Sequence, residues 1–207
     1  MINKELKTYI ENNILPLYQT LDYAHRGNHV FDVIKRALDI GHDYNVDLNM
    51  MYVISAFHDV GLIVERKTHH LIGAKMLRDD PFIQKTFNAS EIKIMSEAVE
   101  DHRASSKSAP RSIYGMIISE ADRAEPADIV VARALLYRFR EGLTFENIYN
   151  DVYAHLIDKY SETGYIKVWL ETKYMKAMQE ELWSLMKDEK AFKAYALEIF
   201  NNLDRYK

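Results

Sequence analysis

The residues of this chain that could do chemistry together are histidines and aspartates at the ends of apolar stripes. Residues three and four apart share a helix face. His29 leads Val33, Ile34 and Ala37; Met51, Ile54 and Ser55 lead to His58, with Asp59 next; His69 leads Ile72, Gly73 and Met76. Ile92, Met95 and Val99 run into His102, and Asp122 falls four after Ile118. A lone inward histidine is more often a satisfied core residue than a ligand. Several at once, beside two carboxylates, are costly to bury without partners. Sharing a divalent cation satisfies imidazole nitrogens and carboxylate oxygens together. That donor set suits iron, manganese, cobalt, nickel or zinc, with magnesium a further option. His42-Asp43 has no apolar stripe leading in and is rejected as a site.

Helices must position these groups. With only 7 Gly and 4 Pro in 207 residues, the chain has few punctuators, and it shows no alternating strand pattern or hairpin signal. The periodicity predicts helices over about 3–13, 15–25, 28–41, 48–59, 69–79, 90–102, 111–122, 127–141, 144–160, 164–186 and 188–203. Gly41 reads as a helix C-cap, Asp80-Pro81 as a stop and Ser90 as an N-cap. SSKSAPRS (105–112) is the longest polar loop. The expected class is all-α, one domain over 1–207. Its core covers about 20–140, and a helical extension over about 141–207 is expected to pack on that core or to offer an oligomer face.

Composition narrows the function classes. The chain has no cysteine, so disulfide scaffolds, thiolate zinc sites and cysteine nucleophiles are excluded. Its net charge of −4 argues against indiscriminate nucleic-acid or anionic-membrane binding. No stretch approaches a membrane span and the N-terminus has no signal-peptide pattern, so a cytoplasmic location is expected.

Taken in order, His29, AFHDVG with His58-Asp59, HHLIGA, EDHR with His102 and SEADRAEP with Asp122 resemble the HD-domain superfamily of metal-dependent phosphohydrolases. The resemblance spans roughly 20–140 and implies an HD-domain helical bundle with additional C-terminal helices. It implies that His29, His58, Asp59 and Asp122 hold one metal. His69 and His102 match the two further histidines of binuclear members, in which Asp59 would bridge the ions; His70 is the substitute for His69 if the register slips. HHLIGA and ADRAEPAD are also similar to the matching segments of bacterial diadenosine-tetraphosphate hydrolases of the superfamily. The cyclic-dinucleotide phosphodiesterases usually have lysine where this chain has Leu62, and the guanosine-tetraphosphate hydrolases carry a pattern not found here.

The implied activity is hydrolysis of a small phosphorylated metabolite, a nucleotide by preference, with Asp59 at the centre and Glu65 as a candidate proton donor. Arg26, Lys67, Arg103, Lys107, Arg111 and Arg123 are candidate phosphate contacts; each is more commonly a solvated charge. His25 shares a face with His29 and is a candidate substrate contact, though such a residue is more commonly a helix-surface histidine. His155 receives no role, and Tyr137, Tyr149, Tyr153, Tyr160, Trp169 and Trp183 are read as core before nucleobase pocket. A nucleotide-binding regulator without turnover and a di-iron oxygenase on the same fold are the alternatives.

Overall fold

The structure is a computed structural model that describes residues 1–21, 27–104, 108–140 and 142–206. It is all-α, without a strand among the described residues. The chain divides into two compact units, Met1–Arg123 and Ala124–Lys207.

In the first unit α1 (Lys4–Asn13) and a 3₁₀ turn (Leu15–Thr20) precede α2 (Gly27–Asp43), α3 (Leu48–Phe57), a second 3₁₀ turn (Val60–Ile63), α4 (His69–Asp79), α5 (Pro81–Thr86), α6 (Ala89–Asp101) and α7 (Ile113–Arg123). Every residue of α3 from Met50 to Phe57 is buried. That follows from its apolar sequence, since a helix hydrophobic all round belongs in a core. Helices α2, α6 and α7 pack around it, and α4 lies against α6 and the 60–63 turn. Val30, Val33, Ile34, Ala37 and Ile40 form the buried stripe of α2, and Met95, Ala98 and Val99 that of α6. The helix starts are fixed by side chains that accept orphan backbone N–H groups. Asp47 Oδ1 accepts from Asn49 and Met50, and Asn88 forms a capping box with Glu91. Asn88, not Ser90, is therefore the cap of α6.

Local chemistry overrode periodicity at several other points. Helix α2 runs past Gly41 to Asp43. Its reversal falls on Asn45, at φ 52°, where Val46 N–H reaches back to Gly41 C=O at 3.1 Å and Asn45 N–H to His42 C=O at 3.2 Å. This six-to-one and five-to-two pair closes a Schellman motif. Gly41 supplies room instead: a Cβ there would lie 3.1 Å from Val46 Cγ2. Helix α3 stops at Phe57, leaving Asp59 at φ −111°, ψ 1° outside it. Asp80 both ends α4 and caps the short α5. Of the run expected over 15–25, residues 15–20 form the 3₁₀ turn and 22–26 lie outside the described residues.

The second unit holds α8 (Ala127–Arg138), α9 (Phe145–Tyr160), α10 (Lys173–Met186) and α11 (Glu189–Asn201). The helix expected from 164 begins only at Lys173, after Thr172 caps it. Residues 165 and 166 instead bond back to Asp158 and Lys159 of α9. Val131, Leu135, Tyr149, Val152, Leu156, Met175, Leu182 and Phe192 form this unit's core. Trp183 Nε1 donates to the Tyr160 carbonyl, and Tyr153 and Trp183 pack on the core from its edge. Tyr137 is 65% exposed.

Candidate metal centre

Helix ends of the first unit converge on a group of histidines and aspartates. His29 lies in the first turn of the described α2, His58 at the C-cap of α3, Asp59 just beyond it, His69 at the first residue of α4, His102 at the C-cap of α6 and Asp122 in the last turn of α7. Their donor atoms form two clusters. His29, His58, Asp59 and Asp122 each offer an atom within 4.8 Å of the others, and so do Asp59, His69 and His102. Asp59 belongs to both. His29 Nε2 is 3.2 Å from Asp122 Oδ1 and 4.0 Å from Asp59 Oδ2. His58 Nε2 is 3.6 Å from Asp59 Oδ2 and 3.8 Å from Asp122 Oδ1. On the other carboxylate oxygen, Asp59 Oδ1 is 3.2 Å from His69 Nε2 and 3.4 Å from His102 Nε2.

Backbone carbonyls orient the imidazoles. His58 Nδ1 lies 2.7 Å from Ser55 O, His69 Nδ1 2.7 Å from Arg66 O, and His102 Nδ1 2.6 Å from Val99 O. A carbonyl only accepts, so each Nδ1 carries a proton and Nε2 faces the aspartates, open to a cation when the ring is neutral and donating to Asp59 from His69 or His102 when the ring is doubly protonated. At His58 and His102 this bond also satisfies a carbonyl left open where the helix stops. His58 Nε2 is buried and has no hydrogen-bond partner among the described residues, which a cation would repair. Orphaned imidazole nitrogen and flanking carboxylates fit a divalent transition ion, and the shared aspartate fits two.

The electrostatics agree with that donor set. Burial lowers the His58 imidazole to about 4 against the pull of Asp59 and Asp122, so it is neutral near pH 7. Burial would raise the Asp59 carboxyl, but His58, with hydrogen bonds from His102 and His69, holds it well below the usual carboxylate range. Asp122 is likewise pushed down, burial being outweighed by the His29 hydrogen bond. Burial works against charge on His102, yet its hydrogen bond to Asp59 raises it overall. His29, His58, Asp59 and His102 are buried, whereas Asp122 keeps 23% and His69 12% side-chain exposure, so the centre opens toward these two.

Two glycines let the elements come this close. A Cβ on Gly61 would stand 2.1 Å from the His69 carbonyl oxygen, and one on Gly73 2.7 Å from that of Phe57. The glycines of AFHDVG and HHLIGA thus admit backbone against backbone and bring His69 to Asp59. Tyr18 and Arg36 carried no sequence signal. The Tyr18 hydroxyl is buried between the Asp59 N–H and the Ala56 carbonyl, and Arg36 Nε donates to the carbonyl of Ala121, next to Asp122, at 2.8 Å.

The other candidates are placed as follows. His70 sits beside His69, with ring centroids 5.5 Å apart, and belongs to neither ligand cluster. Arg103 Nη1 donates to the Lys67 carbonyl at 3.0 Å, tying the end of α6 to the segment before His69. Lys67 and Glu65 are exposed on that segment, and Glu65 accepts from Thr68 Oγ1. Arg123 is buried with Nη2 3.5 Å from the His102 carbonyl. The Arg111 guanidinium grips Asp101 at 2.8–3.1 Å and Glu100 at 2.7 Å. Arg26, Lys107 and His25 lie outside the described residues. His155 is on α9 of the second unit, and His42 and Asp43 are exposed at the end of α2.

A family model described as HD domain matches residues 26–127. Two solved structures are similar. One, a predicted HD superfamily hydrolase from an uncultured Thermotogales bacterium, is 24% identical, with 73% of this chain and 87% of that one covered and a TM-score of 0.53. The other, from Lactobacillus plantarum, is 21% identical, with 100% of this chain and 97% of that one covered and a TM-score of 0.54. No curated protein matches.

Proposed function

Because the chain belongs to the HD-domain family through residues 26–127, we propose that it is a metal-dependent phosphohydrolase with a two-ion centre, acting on a small phosphorylated metabolite, a nucleotide by preference. The observation that carries the reading is Asp59 standing in two donor clusters at once, with one oxygen toward each. Such ions supply a lowered water pKa and Lewis-acid polarisation of phosphoryl oxygens.

The chain's own residues do the rest. His29, His58, Asp59 and Asp122 hold one position, and Asp59, His69 and His102 the other. Carbonyls at Ser55, Arg66 and Val99 keep three imidazoles turned inward, and ionised Asp59 and Asp122 balance the cations' charge. The open side, at Asp122 and His69, admits the phosphate. Arg103, anchored through one nitrogen to the Lys67 carbonyl, keeps further N–H donors for non-bridging oxygens, and Lys67 adds charge on the same segment. Glu65, exposed on the same segment, is the candidate proton donor to a leaving group. Arg103 and Lys67 are the contacts proposed first; Arg111 and Arg123 remain candidates, as do Arg26 and Lys107 outside the described residues.

No helix among the described residues is long and apolar enough to cross a membrane.

The test is a panel of phosphomonoesters, phosphodiesters and nucleotides offered to protein loaded with Mn, Fe, Co, Ni, Zn or Mg. Turnover of one class, lost in Asp59→Asn, is the expected result. Binding without turnover throughout the panel would displace the reading in favour of a regulator. Oxygen consumption by the iron-loaded protein would displace it in favour of an oxygenase.

A further inference from the structure

Tyr18 is fully buried in the first 3₁₀ turn, 41 positions before Asp59, and its hydroxyl meets the backbone where α3 breaks. There the α-helical bonding pattern is rearranged. Ser55 C=O, the helical acceptor for the residue four further on, receives His58 Nδ1–H at 2.7 Å. The Asp59 N–H instead donates to Tyr18 Oη at 3.2 Å, and Tyr18 Oη–H donates to Ala56 C=O at 3.0 Å. One hydroxyl thus serves a backbone acceptor at Ala56 and a backbone donor at Asp59, on either side of His58. Asp59 itself sits at φ −111°, ψ 1°, the sparsely allowed bridge region that recurs at functional sites. In this conformation its carboxylate turns one oxygen to each cluster.

We propose that Tyr18 is a positioning residue for the metal centre: its hydroxyl fixes the Asp59 backbone at the break of α3 and so sets the orientation of the shared carboxylate. The inference rests on the two-ion reading above and deepens it. Tyr18 touches no ligand atom in this role; it acts through the Asp59 amide. The ring packs 6.4 Å, centroid to centroid, from that of His58, so Tyr18→Phe keeps the packing and removes only the relay.

The experiment compares wild type, Tyr18→Phe and Tyr9→Phe by Mn(II) titration followed by electron paramagnetic resonance, with thermal unfolding of each metal-free protein alongside. Tyr9 is the control: its hydroxyl donates to Asp80 Oδ2 at 2.8 Å and serves no residue of the centre. The expected result is Mn(II) affinity weakened about 10- to 100-fold in Tyr18→Phe, the range seen for outer-shell partners. The spin-coupled signal of a bridged pair should be lost there, and Tyr9→Phe should bind as wild type. Wild-type affinity and coupling in Tyr18→Phe, with only a lowered melting temperature, overturns the proposal. Should Tyr18→Phe not fold, the wild type still decides by NMR. A Tyr18 hydroxyl proton in slow exchange, with an Overhauser contact to the Asp59 amide, supports the relay, and its absence overturns it. A wild type that binds no Mn(II) fails the metal reading itself, a different result from a variant that binds unchanged, and takes this inference with it.

Discussion

Replacing Gly61 by alanine should separate the two halves of the metal centre. The added Cβ would stand 2.1 Å from the His69 carbonyl oxygen, 2.9 Å from its carbon and 2.8 Å from Gly73 N, all backbone atoms with no rotamer to escape into. Restoring an ordinary contact of about 3.5 Å requires the start of α4 to retreat by roughly 1.4 Å. Forced repacking of this kind costs about 1–3 kcal/mol. Metal–ligand distances tolerate only about 0.2 Å, so His69, now 3.2 Å from Asp59 Oδ1 and 3.3 Å from His102 Nε2, leaves its cluster. His29, His58 and Asp122 are not on α4 and keep theirs. Urea denaturation with and without saturating Mn(II) reads both effects. A ligand present at a hundred times its Kd stabilises by about 2.7 kcal/mol, and each tenfold loss of affinity removes about 1.4 kcal/mol. The variant should lose stability without metal and lose part of the metal-induced increment. An unchanged midpoint and unchanged increment would refute the claim that Gly61 sets the approach of α4.

Other perturbations reach different links. Metal uptake near pH 6.5 should release a proton from His102, which Asp59 raises above the ordinary imidazole value, while His58, at about 4, has none to give. Affinity should therefore fall as pH drops through the imidazole range, and calorimetry in buffers of different ionisation enthalpy would detect the proton. Arg111→Ala should cost about 1 kcal/mol at low salt and less at high salt, because its partners Asp101 and Glu100 are a surface network. Denaturation at two ionic strengths checks this. In the second unit Phe192→Ala should cost about 3–5 kcal/mol, since the ring is fully buried in that core; its unfolding midpoint is the readout.

The inward polar residues were legible because an apolar stripe ending in imidazole or carboxylate leaves the group nowhere else to go. Periodicity could show that His58 and His102 lie on buried faces. It could not show that each caps its own helix through Nδ1, because that depends on where the helix stops. The same blindness placed Asp59 inside α3, when the break after Phe57 is what frees its two oxygens to diverge. Asn45 took the left-handed position assigned to Gly41 because the Schellman bonds and the Val46 contact, not the residue's permissiveness, decided the end of α2. Arg111 is a phosphate-contact candidate from its place just before α7. Only the fold reveals Asp101 and Glu100 beneath it. Tyr18 and Arg36 were invisible because their partners are backbone atoms 41 and 85 positions away, to which no sequence spacing points.

The central claim is a two-ion centre built on one shared aspartate. The most direct measurement is metals per chain by inductively coupled plasma mass spectrometry, on wild type and on His69→Ala and His102→Ala after reconstitution. The account predicts two transition ions per chain in the wild type, falling toward one in both variants, while His29, His58, Asp59 and Asp122 retain theirs. A single ion that neither change disturbs, or no ion at all, would contradict it.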